Sequence, residues 1–267
     1  MTPEEAKELA GLLASRFIER RDVKAIQSPN GAYYLHRVGP QKEYNDRPAM
    51  PFDFPSLVAH VEGRETFGHY LVSHEGTCRM FCFDIDFNKS SIYFPDGPDN
   101  PSTTINPREV WAGPTTRAKL DLALQLKSMA QGLAKRTLKL VDPSDSKVMV
   151  AYSGNKGMHV ICTMPPGTPA EDARATAVYV LETFGVFVPT KGKNFFKHQD
   201  GYPSLEIEVF PKQDDVNPEG YGNLVRLPLG INRKSGKPGF FLCVNDSLDK
   251  FQVDDPFLVL KEGSFRE

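Results

Sequence analysis

The chain has 267 residues, is 40% hydrophobic and 25% charged, and holds 22 prolines and 21 glycines. This composition fits one mixed α/β globular domain with long irregular connections and excludes a helical bundle. A formal net charge of -2 excludes a uniformly basic nucleic-acid coat while leaving room for a basic groove around an acidic centre. Four cysteines, Cys78, Cys82, Cys162 and Cys243, are too few for a disulfide framework. Met1 leads into the polar stretch Thr2-Pro3-Glu4-Glu5, unlike a secretory leader. No apolar window reaches membrane-spanning length. A reducing, cytoplasmic compartment and no membrane partner are expected.

The chain opens with a predicted helix over 2–18. Thr2 and Glu5 have capping-box spacing, Pro3 suits the first turn, and Leu9, Leu12, Leu13 and Phe17 share one face. Val23 to Val38 reads as two strands around Ser28-Pro29-Asn30-Gly31. Positions 39–68 are turn-rich, with a short helical patch near Leu57 to Val61. A strand follows over Arg79 to Phe87. Residues 88–113 lack periodicity, and a loop of that length is usually functional or mobile. Arg117 to Leu140 is a helix with Leu120, Ala123 and Leu124 on one side. Val148 to Tyr152 and His159 to Thr163 are strands joined by a glycine-bearing turn. Pro169 to Phe184 is a helix with Glu171 and Asp172 at its positive end. Strands are expected at Leu205 to Phe210, Leu224 to Leu227 and Gly239 to Val244. This order predicts an α+β fold with a mainly antiparallel central sheet.

Phe81-Cys82-Phe83-Asp84-Ile85-Asp86-Phe87 is an apolar strand carrying two acids two residues apart. Strand side chains alternate, so Asp84 and Asp86 project from one face, with α-carbons roughly 7 Å apart. Oxygen ligands in that arrangement suit hard divalent cations. Two such ions about 4 Å apart can hold the attacking and leaving oxygens of an in-line phosphoryl displacement. One such pair fits a solvent-facing edge strand equally well. Leu205-Glu206-Ile207-Glu208-Val209-Phe210 repeats the pattern, and if the two strands are neighbours, up to four carboxylates converge. Cation binding is then the simplest way to keep them ionised together.

Ala151-Tyr152-Ser153-Gly154-Asn155-Lys156-Gly157-Met158-His159-Val160 joins two strands. Gly154 and Gly157 let backbone N–H groups approach an anion. Lys156 supplies a point charge for a triphosphate, and His159 a donor for a phosphate oxygen. A plain hairpin with a structural histidine is the bland alternative, which the two acidic strands outweigh.

Phe83-Asp84-Ile85-Asp86, then Ser153 to His159, then Glu206-Ile207-Glu208-Val209-Phe210-Pro211-Lys212-Gln213 resemble the three ordered motifs of the archaeo-eukaryotic primase superfamily. The closing run Gly222-Asn223-Leu224-Val225-Arg226-Leu227-Pro228-Leu229-Gly230 resembles its primase-polymerase branch, and within it bacterial, phage and CRISPR-associated members. The resemblance covers about residues 15–245. It implies an RRM-like catalytic sheet, about 76–250, packed beside an N-terminal α/β lobe, about 1–75, in a single catalytic domain of 1–267. It also implies a prokaryotic or phage-encoded protein. Asp84 and Asp86 match the first two metal ligands. The third is usually Asp; here it is Glu206 or Glu208, and Glu208 is favoured because it directly precedes the Phe-Pro-Lys run. His159 matches the histidine on the incoming nucleotide's phosphates, with Ser153 and Lys156 beside it. Lys212, Asn223 and Arg226 resemble residues around the nucleotide and the primer end.

The expected activity is therefore templated nucleotidyl transfer that makes and extends primers, using two Mg²⁺ or Mn²⁺ ions, nucleoside triphosphates and a single-stranded DNA template with its primer. A helicase or other replication or CRISPR protein is an expected partner. Alternatives are a gap-filling polymerase that extends but does not start primers, a DNA-binding module without catalysis, and, more weakly, a metal-dependent nuclease. The runs Lys191 to His198 and Arg233 to Lys237 mix cations with aromatics or glycine, so Lys193, Lys197 and Arg233 are candidate nucleic-acid contacts. Arg20, Arg21 and Gln27 are candidates for the template path. His74, Cys78 and Cys82 lack an evident fourth ligand for zinc, and Cys82 suits a buried strand position.

Overall fold

The computed structural model of the chain describes residues 1–39, 47–88, 92–94, 103–106, 116–185, 187–190, 192–198, 202, 204–217, 220–243 and 252–265. Lys191, Val244 and most of the 88–113 stretch lie outside these described residues.

The first helix, α1 (Pro3–Phe17), is capped as its sequence directs. The Thr2 hydroxyl accepts the Glu5 N–H at 3.2 Å, and the Glu5 carboxylate accepts the Thr2 N–H at 2.6 Å. Leu9, Leu13 and Phe17 form its buried stripe, while Leu12 is only half-buried. The strands β1 (Ala25–Gln27) and β2 (Tyr33–Leu35) form the expected hairpin, in register Gln27 opposite Tyr33. Next comes α2 (Phe54–Val61), begun three residues early because the Asp53 side chain accepts the Ser56 N–H at 3.1 Å. The short strand β3 (Phe67–Tyr70) pairs with β1. Its four residues are all buried, so it carries no polar alternation to mark it in the sequence.

The central strand β4 (Thr77–Phe87) starts two residues before the expected point and bends at a register shift between Cys78 and Met80. Two short strands, β5 (Ile92–Phe94) and β6 (Thr103–Ile105), pair with each other inside the 88–113 stretch. The long helix α3 (Arg117–Leu138) is capped by Thr116, whose hydroxyl accepts the Lys119 N–H at 3.3 Å. Then follow β7 (Val148–Tyr152), β8 (Met158–Pro169) and α4 (Ala170–Phe184). The strand β8 runs past Thr163, across two prolines, because its far end pairs with the start of β4 (Cys78 opposite Thr168). After it come β9 (Phe187–Pro189), β10 (Phe195–His198), β11 (Leu205–Phe210), β12 (Leu224–Arg226), β13 (Phe240–Phe241) and α5 (Pro256–Glu262).

Every strand pair is antiparallel among the described residues, and the large sheet runs β13-β7-β8-β4-β11-β10-β9. Its core has the chain order β4-α3-β7-β8-α4-β11 and the spatial order β7-β8-β4-β11. That is the split β-α-β-β-α-β arrangement of RRM-like folds. The molecule is therefore α+β, with the RRM-like sheet that the motifs imply.

Alternation sorts the two faces of this sheet. Phe83, Ile85, Phe87, Val160, Ile207 and Val209 are all at most 1% exposed. They pack with Leu126, Met129 and Leu133 of α3 and Ala173, Ala177 and Val180 of α4 in one core. Burying each large side chain there contributes about 1.5–3 kcal/mol. Both helices sit on this face, so the other face, bearing Asp84 and Asp86, stays open. A second sheet, β12-β3-β1-β2, stands beside it. Its outer strand β12 comes from the closing run, so the chain returns late to complete the small lobe. Arg16 of α1 donates to the Leu260 and Lys261 carbonyls at 2.8 and 3.0 Å, tying the first helix to the last.

Candidate active site

Strand register assembles the site. Across three neighbouring strands, His159 of β8 lies opposite Asp84 of β4, and Asp84 lies opposite Glu208 of β11. One step along, Asp86 lies opposite Glu206. The same face continues into β10, where Phe195 lies opposite Glu208. Four carboxylates and one imidazole thus share one patch.

Three of the carboxylates have a nitrogen-bearing side chain of the same chain beside them. His159 Nε2 lies 3.4 Å from Asp84 Oδ1. Lys156 Nζ lies 2.9 Å from Asp86 Oδ2 and donates to the Phe87 carbonyl at 2.8 Å. Lys212 pairs with Glu208, with its ammonium 4.7 Å from the Phe210 ring centre and 5.1 Å from that of Phe195. Glu206 instead accepts from the Thr190 hydroxyl at 2.8 Å. Burial, and after it the neighbouring charge of Asp84, pushes the Asp86 carboxyl up to about 6, against the pull of Lys156. Burial likewise raises Glu208, against the pull of Lys212. Among the described residues no three His, Cys, Asp or Glu side chains are gathered closely enough to enclose a metal ion. The lysines reach to the same carboxylates that such an ion would use.

The glycine turn is held close to this patch. Gly154 has φ +75, a conformation that favours glycine. At Gly157 a Cβ would run into Asp86 Oδ1 and, at 2.5 Å, the Ile85 carbonyl. Only a glycine lets the backbone pass that near the carboxylate. The Ser153 N–H closes the turn on the Gly157 carbonyl at 3.1 Å.

Two clefts flank the aspartates and share them. One, of about 270 Å³, is walled on one side by Ser153, Asn155 and His159 and on the other by Gln27, Gly31 and Tyr33 of the small lobe. Arg226, Asn232 and Lys234 complete it. The other, of about 210 Å³, is lined by Phe87, Asn88, Lys156, Phe195, Glu206 and Glu208.

Other sequence candidates sit as follows. Arg226 is buried, and both of its terminal nitrogens are engaged by carbonyls, those of Ser153 and Gly230. It holds the glycine turn against the closing run while lining the first cleft. Asn223 donates to Gln213 at 2.7 Å and lines neither cleft. Gln27 lines the first cleft and accepts the Arg233 N–H at 2.9 Å. The Arg233 guanidinium turns away to the Arg64 carbonyl. Arg20 is buried, paired with Asp22 at 2.6 Å, and the exposed Arg21 lines neither cleft. Lys193 is exposed in the turn Gly192–Asn194. Lys197 follows Phe195 by two residues on β10 and so shares its face. His74 lies 3.0 Å from Arg20 Nη2, and Cys78 and Cys82 are buried in β4.

Tyr33 and Asn232 were not singled out by sequence. The available signal for Tyr33 was its symmetrical placement with Gln27 about Asn30, which makes the two a cross-strand pair.

No helix among the described residues is long and apolar enough to cross a membrane. No curated protein matches the chain. A family model described as the archaeo-eukaryotic primase domain of TOTE conflict systems matches residues 15–262. With an RRM-like sheet carrying the acidic patch beneath a glycine turn, the chain belongs to this archaeo-eukaryotic primase family, a family of primase-like nucleotidyltransferases.

Proposed function

We propose that the domain is a DNA-templated primase-polymerase that makes and extends primers from nucleoside triphosphates. The observation that carries this reading is the cross-strand row His159–Asp84–Glu208, with Asp86 and Glu206 beside it, under a glycine turn. The donor set is all hard oxygen, which suits Mg²⁺ or Mn²⁺. Burial raises the Asp86 and Glu208 carboxyls, so their charged forms are poorly solvated without a cation. Such residues fit divalent ions, provided Lys156 and Lys212 yield their places. Ions held by Asp84, Asp86 and Glu208 would supply Lewis acidity toward the attacking 3′-oxygen and the departing pyrophosphate.

The rest follows from the chain's own groups. Ser153, Asn155 and His159 present donors along one wall of the first cleft, where a triphosphate would find several hydrogen bonds together. Lys156, released from Asp86, has a flexible stem that can reach the same anion. Arg226 fixes the turn that carries those donors. The second cleft, on the β11 side of Asp84, leaves space for a primer end. Lys193, Lys197 and Lys234 are cations available to a template phosphate backbone. The TOTE family context supports a role within a conflict system, with any unwinding activity supplied from outside this domain.

The test is incubation with unprimed single-stranded DNA, Mn²⁺ and labelled nucleotides, beside the same reaction on a primed template. Products on both support priming and extension, and products on the primed template alone support a gap-filling enzyme. The double variant Asp84→Ala with Asp86→Ala should incorporate nothing while keeping its fold by circular dichroism. Primer extension by that folded double variant sinks the assignment.

A further inference from the structure

Asn223 stands in the closing run, where motif likeness sets it near the nucleotide, yet it lines neither cleft. Its backbone belongs to the small lobe. Its carbonyl accepts the Leu71 N–H at 3.4 Å, and the next residue, Leu224, pairs with Tyr70 of β3. Its side chain serves the other lobe: Nδ2 donates to Gln213 Oε1 at 2.7 Å, in the segment that leaves β11. Gln213 Nε2 in turn donates to the Asp215 carbonyl at 2.8 Å. With both ends of the amide engaged, its orientation is fixed.

Two other contacts hold the same segment. Asn194 Nδ2 donates to the Lys212 carbonyl at 3.2 Å, and Arg174 of α4 grips Asp214 at 2.7 and 2.9 Å. Both come from the large-sheet side of the molecule. Of the three tethers, the Asn223 contact alone comes from the small lobe. What the segment carries is Lys212, whose ammonium pairs with Glu208. The two residues are four apart, and β11 ends at Phe210. In a strand that simply continued, their α-carbons would lie about 13 Å apart, beyond the reach of a lysine. The pair exists because the chain turns after Phe210 and is held in that turn. Where the backbone of residue 212 sits therefore decides whether the ammonium covers Glu208.

We propose that Asn223 is a positioning residue: through Gln213 it holds Lys212 against Glu208, so that the small lobe governs how readily a divalent cation takes that carboxylate. This rests on the reading of Glu208 as a metal ligand and adds what controls its release. Without the Asn223 contact the segment keeps its two large-sheet tethers but gains freedom. Lys212 then spends less time on Glu208, and a cation meets a weaker competitor.

The experiment measures equilibrium Mn²⁺ binding without nucleotide, from the loss of the free ion's electron paramagnetic resonance signal. Wild type, Asn223→Ala, Lys212→Ala and the double variant are compared, with circular dichroism to show that each is folded. Asn223→Ala should bind Mn²⁺ roughly two- to fivefold more tightly than wild type, part of a roughly tenfold gain for Lys212→Ala. In the double variant Asn223→Ala should add nothing, because its effect runs through Lys212. A purely structural hydrogen bond gives unchanged or weaker Mn²⁺ binding when it is lost, and that result overturns the proposal. A full further gain in the double variant overturns it too. Gln213→Ala removes the other partner of the same bond and should reproduce Asn223→Ala; it carries the test if Asn223→Ala does not fold. Primer extension, assayed separately, distinguishes the two readings. The expected binding pattern without extension by wild type supports the positioning role and counts against the polymerase. Extension by wild type with no gain in Asn223→Ala removes the positioning role and leaves the polymerase standing. If neither wild type nor Lys212→Ala binds Mn²⁺, the positioning role falls with the metal site.

Discussion

His60 pins the small lobe together in a way that acid should undo. It is fully buried in α2, between β3 and the closing run. Its Nδ1 accepts the Phe67 N–H at 3.0 Å, and its Nε2 lies 2.9 Å from the Pro228 carbonyl and 3.1 Å from the Gly230 N–H. At either nitrogen a second proton has to enter against a backbone N–H. Burial holds its pKa down to about 4 from 6.5, chiefly by desolvation and despite the Pro228 hydrogen bond. A depressed folded-state pKa means that the unfolded chain takes up the proton first as pH falls below 6.5. Stability is then lost from 6.5 down to about 4 and is constant above. Each pH unit in that window costs about 1.4 kcal/mol, so the two units from 6.5 to 4.5 cost about 2.7 kcal/mol. His69, held down to about 3 by burial, adds a similar loss. Asp86, raised to about 6, works in the opposite direction, since its folded form binds the proton first.

Comparison with a variant isolates His60, because those other contributions are common to both proteins. His60→Gln keeps an acceptor for the Phe67 N–H and cannot titrate. Urea unfolding followed by circular dichroism at pH 7 and pH 4.5 gives the stability lost by each. The variant should start lower, by about 1–3 kcal/mol for an imperfectly paired buried amide. Between the two pH values it should then lose about 2.7 kcal/mol less than wild type. Equal losses in the two proteins would refute the argument from the Phe67 hydrogen bond.

Further expectations concern the site. Gly157→Ala should cost about 1–3 kcal/mol through overpacking against Asp86 and the Ile85 carbonyl, read as a fall in thermal midpoint together with loss of nucleotide incorporation; an unchanged midpoint counts against the close approach. Glu208→Gln should lower incorporation on the order of a hundredfold, about 2.7 kcal/mol of transition-state stabilisation, and Glu206→Gln by less than about tenfold, because Glu206 is turned to Thr190. A reversed order in steady-state kinetics would move the third ligand to Glu206. Arg174→Ala removes the paired contacts to Asp214 at 2.7 and 2.9 Å, which anchor the loop carrying Lys212 to α4; primer extension should show a raised KM for nucleotide, with a stability change within about 1 kcal/mol. Treatment with a chelator should abolish incorporation but leave the thermal midpoint within a degree or two.

The acidic pairs were legible because strand alternation is local: Phe83-Asp84-Ile85-Asp86 and Glu206-Ile207-Glu208 declare one polar face each without reference to the rest of the chain. The α+β order and the main helices were legible from the same kind of signal. Register is not local. Nothing in either strand fixes Glu208 opposite Asp84 rather than Asp86; that depends on how α3 and α4 pack beneath the sheet. The small lobe and the outer strands of the large sheet were harder to read. Strand β3 is buried throughout and contains glycine and histidine, and β10 presents Phe195-Phe196-Lys197-His198 as a basic, aromatic run. Its alternation appears only once it is placed against β11. Arg226 shows a further limit. Motif position assigns it to the surroundings of the nucleotide and the primer end, whereas its burial turns its guanidinium to the Ser153 and Gly230 carbonyls.

The chelator expectation has a physical basis in how the patch is neutralised. Directly opposed residues on paired strands have Cβ atoms about 5 Å apart. Two full negative charges at that distance repel by on the order of 3 kcal/mol at an effective dielectric of about 20. A row containing Asp84 and Glu208, with Asp86 and Glu206 alongside, would accumulate several such terms. The chain offsets two of them internally: Lys156 lies against Asp86 and Lys212 against Glu208. Folding therefore does not wait for an ion. The same pairing sets a condition on activity. Lys156 and Lys212 hold their carboxylates on long, flexible stems anchored at the glycine turn and after β11, so a divalent cation entering there would compete with one ammonium at a time. Each displaced lysine would stay at the edge of the cleft, where the proposed triphosphate would meet it.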